Sequence, residues 1–242
     1  MLASVKNILL SCAVLFLCSC TKNAVETSMV AVFIDRTNVA AEEIPSVFDS
    51  AAVKYNPVSV LNWKDAYPYL PQVDFAVAHN GTNLLVHYRV TEKRTIGTME
   101  NDLESVYKES CCEFFFMEEG DSLYYNIESN CIGAINMECG TKRADRTSST
   151  LENLEKIDRW TSLGRKSVGR IDSLTHWELA ISVPMSSLWK HSFETLSGKT
   201  LLANVYNCVG SGDDRQYVTW HPVKTATPDF HRPEYFKPIY FE

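Results

Sequence analysis

The sequence predicts an all-β fold, an antiparallel β-sandwich of jelly-roll or immunoglobulin-like type with few short helices. Three observations predict it. Short runs of period-two apolar alternation recur from about residue 73 to the end. Asn80-Gly81 lies between two such runs, and Asn-Gly in that setting is the strongest short hairpin signal because both residues tolerate positive φ. Helical spacing is confined to brief stretches. Roughly eight to ten short strands with so little helix point to two packed sheets.

Taken in order, residues 73–79 and 84–90 form the first hairpin. Asn80-Gly81-Thr82 also has the form of a glycosylation sequon and is read as a turn. Residues 30–65 are the least readable part and are expected to hold an edge strand and a long wrapping loop. Residues 111–118 carry Phe114, Phe115 and Phe116 at their centre, Glu119-Gly120-Asp121 turns the chain, and 123–130 returns. On the returning strand Leu123, Tyr125 and Ile127 share one face and Tyr124, Asn126, Glu128 and Asn130 the other, because strand side chains alternate. Residues 132–138 form another strand. Trp177, Leu179, Ile181 and Val183 alternate with smaller or polar residues and mark a core face. Residues 201–209, 216–220 and 239–241 complete the set. Ser149-Thr150-Leu151-Glu152 has capping-box spacing ahead of Leu154 and Ile157, and Pro184 can open a single turn running to Trp189.

The first twenty residues read as an address. Lys6 precedes an apolar run from Ile8 to Leu17, about half the length a bilayer-spanning helix needs and suited to a signal peptide. The run ends in Leu17-Cys18-Ser19-Cys20, which resembles the bacterial lipobox, so Cys20 is expected to be lipidated as the mature N-terminus. An ordinary secretory signal cut nearby is the alternative. The expected organisation is a lipoprotein signal peptide at 1–19, a lipid-anchored tether at 20–29 and one domain at 30–242. No repeat and no Pro/Gly/Ser linker divides that domain. Both readings of the leader export the protein, and a lipid anchor places it on a bacterial membrane, with the outer membrane favoured.

Cleavage before Cys20 removes one lysine and no acid, taking the formal charge from −7 to −8. That balance, without a basic cluster, excludes a nucleic-acid partner. With 45% hydrophobic and 22% charged residues, the chain is neither disordered nor collagen-like. After the anchor is assigned, Cys111, Cys112, Cys131, Cys139 and Cys208 remain. Their number is odd and no C-x-x-C occurs, so zinc-ribbon and thioredoxin readings lack support. Buried thiols are expected, with room for one disulfide in an exported setting. Cys111 and Cys112, adjacent on a strand, must face opposite ways.

Five segments, in order, resemble the family 9 carbohydrate-binding modules and their stand-alone, Bacteroides-type lipoprotein relatives. They are Trp63-Lys64-Asp65-Ala66-Tyr67-Pro68-Tyr69, residues 75–79 with 85–92, residues 106–115, residues 177–184, and Thr219-Trp220-His221-Pro222 with residues 228–236. The resemblance implies a sandwich that holds the end of a sugar chain between two aromatic rings without cutting it, in support of carbohydrate catabolism beside glycoside hydrolases. It implies one ring at Tyr107, six residues before Glu113, where relatives commonly carry Trp. Glu109 stands where they often have Asp. The second ring falls at Phe230 or His231, with Trp220 upstream. Glu113 would accept hydrogen bonds from sugar hydroxyls, and Arg143, the nearest basic residue after the following hairpin, would donate them.

The chemistry fits those residue types. Aromatic rings bury the apolar faces of a pyranose, while carboxylates, amides and Arg serve its hydroxyls. The stripe Tyr124, Asn126, Glu128, Asn130 offers such a surface, with Asn126 as a ligand candidate, or is a plain wet sheet face. Trp63 and Tyr67 read as cover for a sandwich edge. No cofactor is required. Asn101-Asp102 and Asp213-Asp214 are oxygen-rich and leave calcium open, although neither forms an EF-hand loop. Two other functions remain open. A glycoside hydrolase would draw two carboxylates from Glu113, Glu128 and Glu178. A haem- or metal-binding exported sandwich would use His79, His87, Met117 or Met137.

Overall fold

A computed structural model describes residues 29–242. The signal peptide, Cys20 and the tether up to residue 28 lie outside the described residues. Among the described residues no helix is long and apolar enough to cross a membrane.

The β-sandwich is built from one curled sheet that folds over itself. The chain begins with β1 (Met29–Phe33), helix α1 (Ile44–Ser50) and the short β2 (Asn56–Pro57). A hairpin of β3 (Gln72–His79) and β4 (Asn83–Glu92) follows, then β5 (Thr95–Gly97). Next come β6 (Cys111–Glu118), β7 (Tyr124–Asn130), β8 (Ile135–Gly140) and β9 (Thr147–Ser148), which form an antiparallel meander. Helix α2 (Leu151–Glu155) leads to β10 (Asp158–Thr161), β11 (Gly169–Ile171) and β12 (Thr175–Pro184). The chain closes with β13 (Thr200–Val209), β14 (Gln216–Thr219) and β15 (Lys237–Phe241).

The first layer runs β10-β12-β4-β3, and the second runs β15-β13-β6-β7-β8-β9. β1 joins them. Its first residues pair with β15, Met29 opposite Ile239, and its last residues pair with β3, Phe33 opposite His79. Both pairings are parallel, whereas the other ladders are antiparallel. The expected edge strand is therefore an interior one. Its sequence is short and unremarkable because its partners come from opposite ends of the chain.

Three apolar clusters explain the strand sequences. Between the layers, Phe75, Val77, Tyr88, Trp177 and Leu179 meet Phe114, Phe116, Ile127 and Val205. Outside the first layer, α1 lays Ile44, Val47 and Phe48 on Ala76, Ala78, Leu85 and Ala180. The alanines let the helix approach closely. Outside the second layer, Trp63, Phe230 and Phe236 cover Phe115, Tyr124 and Tyr206. Burial on both faces removes the alternation expected of a half-wet strand, which is why Phe114-Phe115-Phe116 runs unbroken.

Local signals hold where their partners are local. Asn80 accepts from the Asn83 backbone N–H at 2.8 Å, and Gly81 takes a φ of 94°. Thr150 caps α2 by accepting from the Asn153 N–H at 3.2 Å. The five cysteines are buried as free thiols. Cys112 joins the interlayer core and Cys111 the outer cluster, as strand alternation requires.

Candidate functional site

The outer cluster does not cover the whole second layer. Beside it opens a cleft of about 410 Å³, floored by β6, β7 and β13. Antiparallel register sets Glu113 opposite both Glu128 on β7 and Tyr206 on β13, and Glu128 opposite Asn136 on β8. Tyr107 rises on one side from the single turn before β6, and the loop carrying Asp229, Phe230 and His231 lies on another. The β8–β9 hairpin adds Arg143 and Arg146.

Each wall residue has a holder. The Tyr107 carbonyl accepts the Gly210 N–H at 2.8 Å and the Cys208 thiol at 3.4 Å. A Cβ on Gly210 would stand 2.9 Å from Tyr107 Cδ2, so the glycine makes room for the ring. Tyr107 is 42% exposed. Phe230 stacks on Tyr206 at 4.1 Å and 9°, and the Tyr206 hydroxyl donates to the Phe230 carbonyl at 3.1 Å. His231 Nδ1 meets the Tyr124 hydroxyl at 3.0 Å. Arg143 holds Asp229 at 2.7 Å but stays 62% exposed. Arg146 is the buried arginine, its side chain 4% exposed. It donates to Asn126 Oδ1 and to the carbonyls of Tyr124 and Glu138, and its guanidinium lies 4.1 Å over the Tyr124 ring. Its Nη1 is buried with no partner.

The family profile of carbohydrate-binding family 9 matches residues 42–241. The chain belongs to this family. Its function is carbohydrate binding. A crystal structure from Bacteroides uniformis ATCC 8492, carrying a provisional carbohydrate-binding assignment, is 33% identical over 89% of this chain and 99% of that one, with a TM-score of 0.85. Two family 9 modules from Caldicellulosiruptor kristjanssonii share the fold at low identity. The cellotriose complex is 11% identical over 88% of this chain and 93% of the other, at TM-score 0.54. The glucose complex is 12% identical over 87% and 94%, at TM-score 0.51. Among functionally curated proteins none matches.

In this family 9 domain Tyr107, Glu113, Arg143, Phe230 and His231 converge on the cleft. Two expectations need correction. Asn126 is fully buried and does not line the cleft, because its amide is spent donating to Glu128 Oε1 at 2.8 Å and accepting from Arg146. It positions two cleft residues instead. Trp220 packs against Phe75 at 5.1 Å in the interlayer core. Val218 of β14 turns inward and Trp220, just past the strand, packs half-buried against the same core, while Tyr217 faces the cleft. That parity was readable in the sequence. Arg146 and Glu128 were harder to single out, because a buried charge looks like a wet one until its cover is known.

Of the three carboxylates offered for hydrolysis, Glu113 and Glu128 meet as cross-strand neighbours on the cleft floor. Glu178 lies on the first layer, 2.9 Å from His87 Nε2. His79 packs between Phe33 and Phe241, His87 beside Tyr55 and Phe48, Met137 in the interlayer core and Met117 against the outer cluster. Asp102 pairs with Arg159, and Asp214 with Arg94 and Arg170. Trp63 donates from its indole to the Thr225 carbonyl at 2.8 Å and braces the loop behind Phe230.

The floor is poor in charge. Burial pushes the Glu113 carboxyl well above the usual range, and Cys208 and Glu128 push it further. Burial raises Glu128 to about 7 against the pull of Asn126 and Asn136. His231 falls to about 3 through burial and then Arg143 and Arg146, so it is neutral. The sign for stability follows from Glu128. Between pH 4.5 and 7 its folded carboxyl keeps a proton that the unfolded chain releases, so its stabilisation is complete below about 4.5 and lost as pH rises through 7. The loss is on the order of 3 kcal/mol. His87 and His221, each lowered to about 4, act oppositely in the same window. The difference in unfolding free energy between wild type and Glu128→Gln cancels them. Denaturant titrations should show that difference fall by about 3 kcal/mol from pH 4.5 to 7.5, and a flat difference would refute the assignment.

Proposed function

We propose that the cleft captures the end of a neutral oligo- or polysaccharide and does not cleave it. The observation that carries this reading is the half-exposed Tyr107 ring standing over a polar floor of Glu113 and Glu128. The ring takes the apolar face of a pyranose. Glu113, its carboxyl pushed by burial well above the usual range, and Glu128, raised to about 7, can exchange hydrogen bonds with hydroxyls in both directions. Arg143 at the rim donates as well. A closed clamp of two free rings has less support, since one face of Phe230 is already occupied by Tyr206.

Hydrolysis needs an acid and a second carboxylate flanking the scissile bond. Glu113 and Glu128 are cross-strand neighbours on one floor, both on the same side of any bound sugar. The resemblance of residues 17–20 to a lipobox supports export and anchoring through Cys20, with glycoside hydrolases as working neighbours. Purified protein should bind members of a neutral glycan array, with affinity measurable by calorimetry and no release of reducing sugar. Metabolic labelling with a tagged fatty acid should mark it and miss Cys20→Ala. Reducing-sugar release, or an array without binders, would overturn the capture reading, and labelling of Cys20→Ala the anchor.

A further inference from the structure

We propose that Cys111, Glu113 and Cys208 form a site for a thiophilic divalent cation, zinc in the first instance, at the floor of the cleft. The Sγ atoms of the two cysteines and a Glu113 carboxylate oxygen all lie within 4.8 Å of one another. Among the described residues this is the single group of three such donors brought so close. The sheet makes the arrangement. Cys111 and Glu113 are two apart on β6 and share a face, and Cys208 is paired directly with Cys111 across to β13. All three are buried, and the Cys208 thiol already contacts Glu113 Oε1 at 3.1 Å. Cys112 points into the interlayer core and cannot join them.

The donor set selects the ion. Two thiolates favour a soft or borderline metal and disfavour calcium or magnesium. Zinc bonds of about 2.0–2.3 Å in a tetrahedron set donors roughly 3.5–3.8 Å apart, so the three groups, all within 4.8 Å of one another, must close by no more than roughly 1.3 Å. Glu113 and Cys208 line the cleft while Cys111 lies behind them, which leaves an entry path and a fourth position open to a water or a sugar hydroxyl. Three anionic donors around a dication leave one net negative charge, and Arg143 and Arg146 stand on the same cleft to balance it. The Asn207 amide donates to the Cys111 carbonyl at 3.1 Å and holds that end of β6 in place. The inference is independent of sugar binding, although both would use Glu113.

Cobalt(II) is the probe. Added to the full chain under a non-thiol reductant, it should produce a thiolate-to-cobalt charge-transfer band and the strong visible bands of a tetrahedral centre, saturating near about one ion per chain. Zinc should then bleach them. Cys111→Ser and Cys208→Ser should each weaken cobalt binding by more than about 100-fold, beyond what loss of an outer partner costs. Cys131→Ser and Cys112→Ser should retain the spectrum. A wild-type protein that develops no charge-transfer band overturns the proposal, as does a band that survives both ligand substitutions. The readout is spectroscopic, so a failure to bind glycans leaves it intact.

Discussion

Replacing Tyr107 by alanine should weaken carbohydrate binding roughly 10–100-fold, equivalent to about 1.4–2.7 kcal/mol, and leave the melting temperature almost unchanged. The two effects separate because of how the residue is held. The residue is 42% exposed and offers its ring to a ligand. Its contacts to Gly210 and to the Cys208 thiol run through its backbone carbonyl, which alanine keeps. Stacking on a pyranose is lost with the ring, and rigid aromatic area is what such sites use to bind with little entropy cost. Tyr107→Phe retains the ring and should stay within a few-fold of wild type. Calorimetry on the wild type's best glycan reads both variants, and an alanine variant that binds normally would remove Tyr107 from the site.

Trp177→Ala should destabilise the domain by about 3–5 kcal/mol. At about 2–4 °C per kcal/mol for a domain of this size, the melting temperature falls by roughly 6–20 °C. Trp177 is 1% exposed at the centre of the interlayer core. Its indole also donates to Glu92 Oε1 at 2.9 Å, joining the side chains of Ser110, Thr95 and Gln216 around a fully buried carboxyl. The alanine variant opens a large cavity and removes that donor together. Trp177→Phe restores most of the volume but not the donor, and should cost about 1–3 kcal/mol. A phenylalanine variant as stable as wild type would show that Glu92 does not need the indole.

Much of the fold could be read along the chain. Strand alternation is a local property, so the strands from 72 to 92, 111 to 130 and 175 to 209 were legible within a few residues, as were the Asn80-Gly81 turn and the α2 cap. The same alternation sorted Cys111 from Cys112 and placed Trp177 inward. Helix α1 was missed. Its seven residues include a proline and carry helical spacing for only one repeat, Ile44, Val47 and Phe48, and its stability comes from the Ala76, Ala78, Leu85 and Ala180 face of β3, β4 and β12 beneath it. The role of β1 was missed for a similar reason, since its two parallel partners are about 45 and 210 residues away in sequence.

The site divides along the same line. The resemblance to family 9 marked Tyr107, Glu113, Arg143, Phe230 and His231, and those five meet at one cleft. Periodicity along a strand says which side chains share a face, because each points opposite to its neighbour. It does not say what will cover that face. Residues 220–236 and Trp63, far from β6 and β7 in sequence, bury part of the outer face and leave the rest open. That cover turned the polar stripe of β7 from a wet surface into a buried network and made Arg146 rather than Arg143 the enclosed cation. Cross-strand register then brought Glu113 beside Glu128, and Cys111 beside Cys208. Local alternation settled the faces, and long-range packing decided which of them became a binding site.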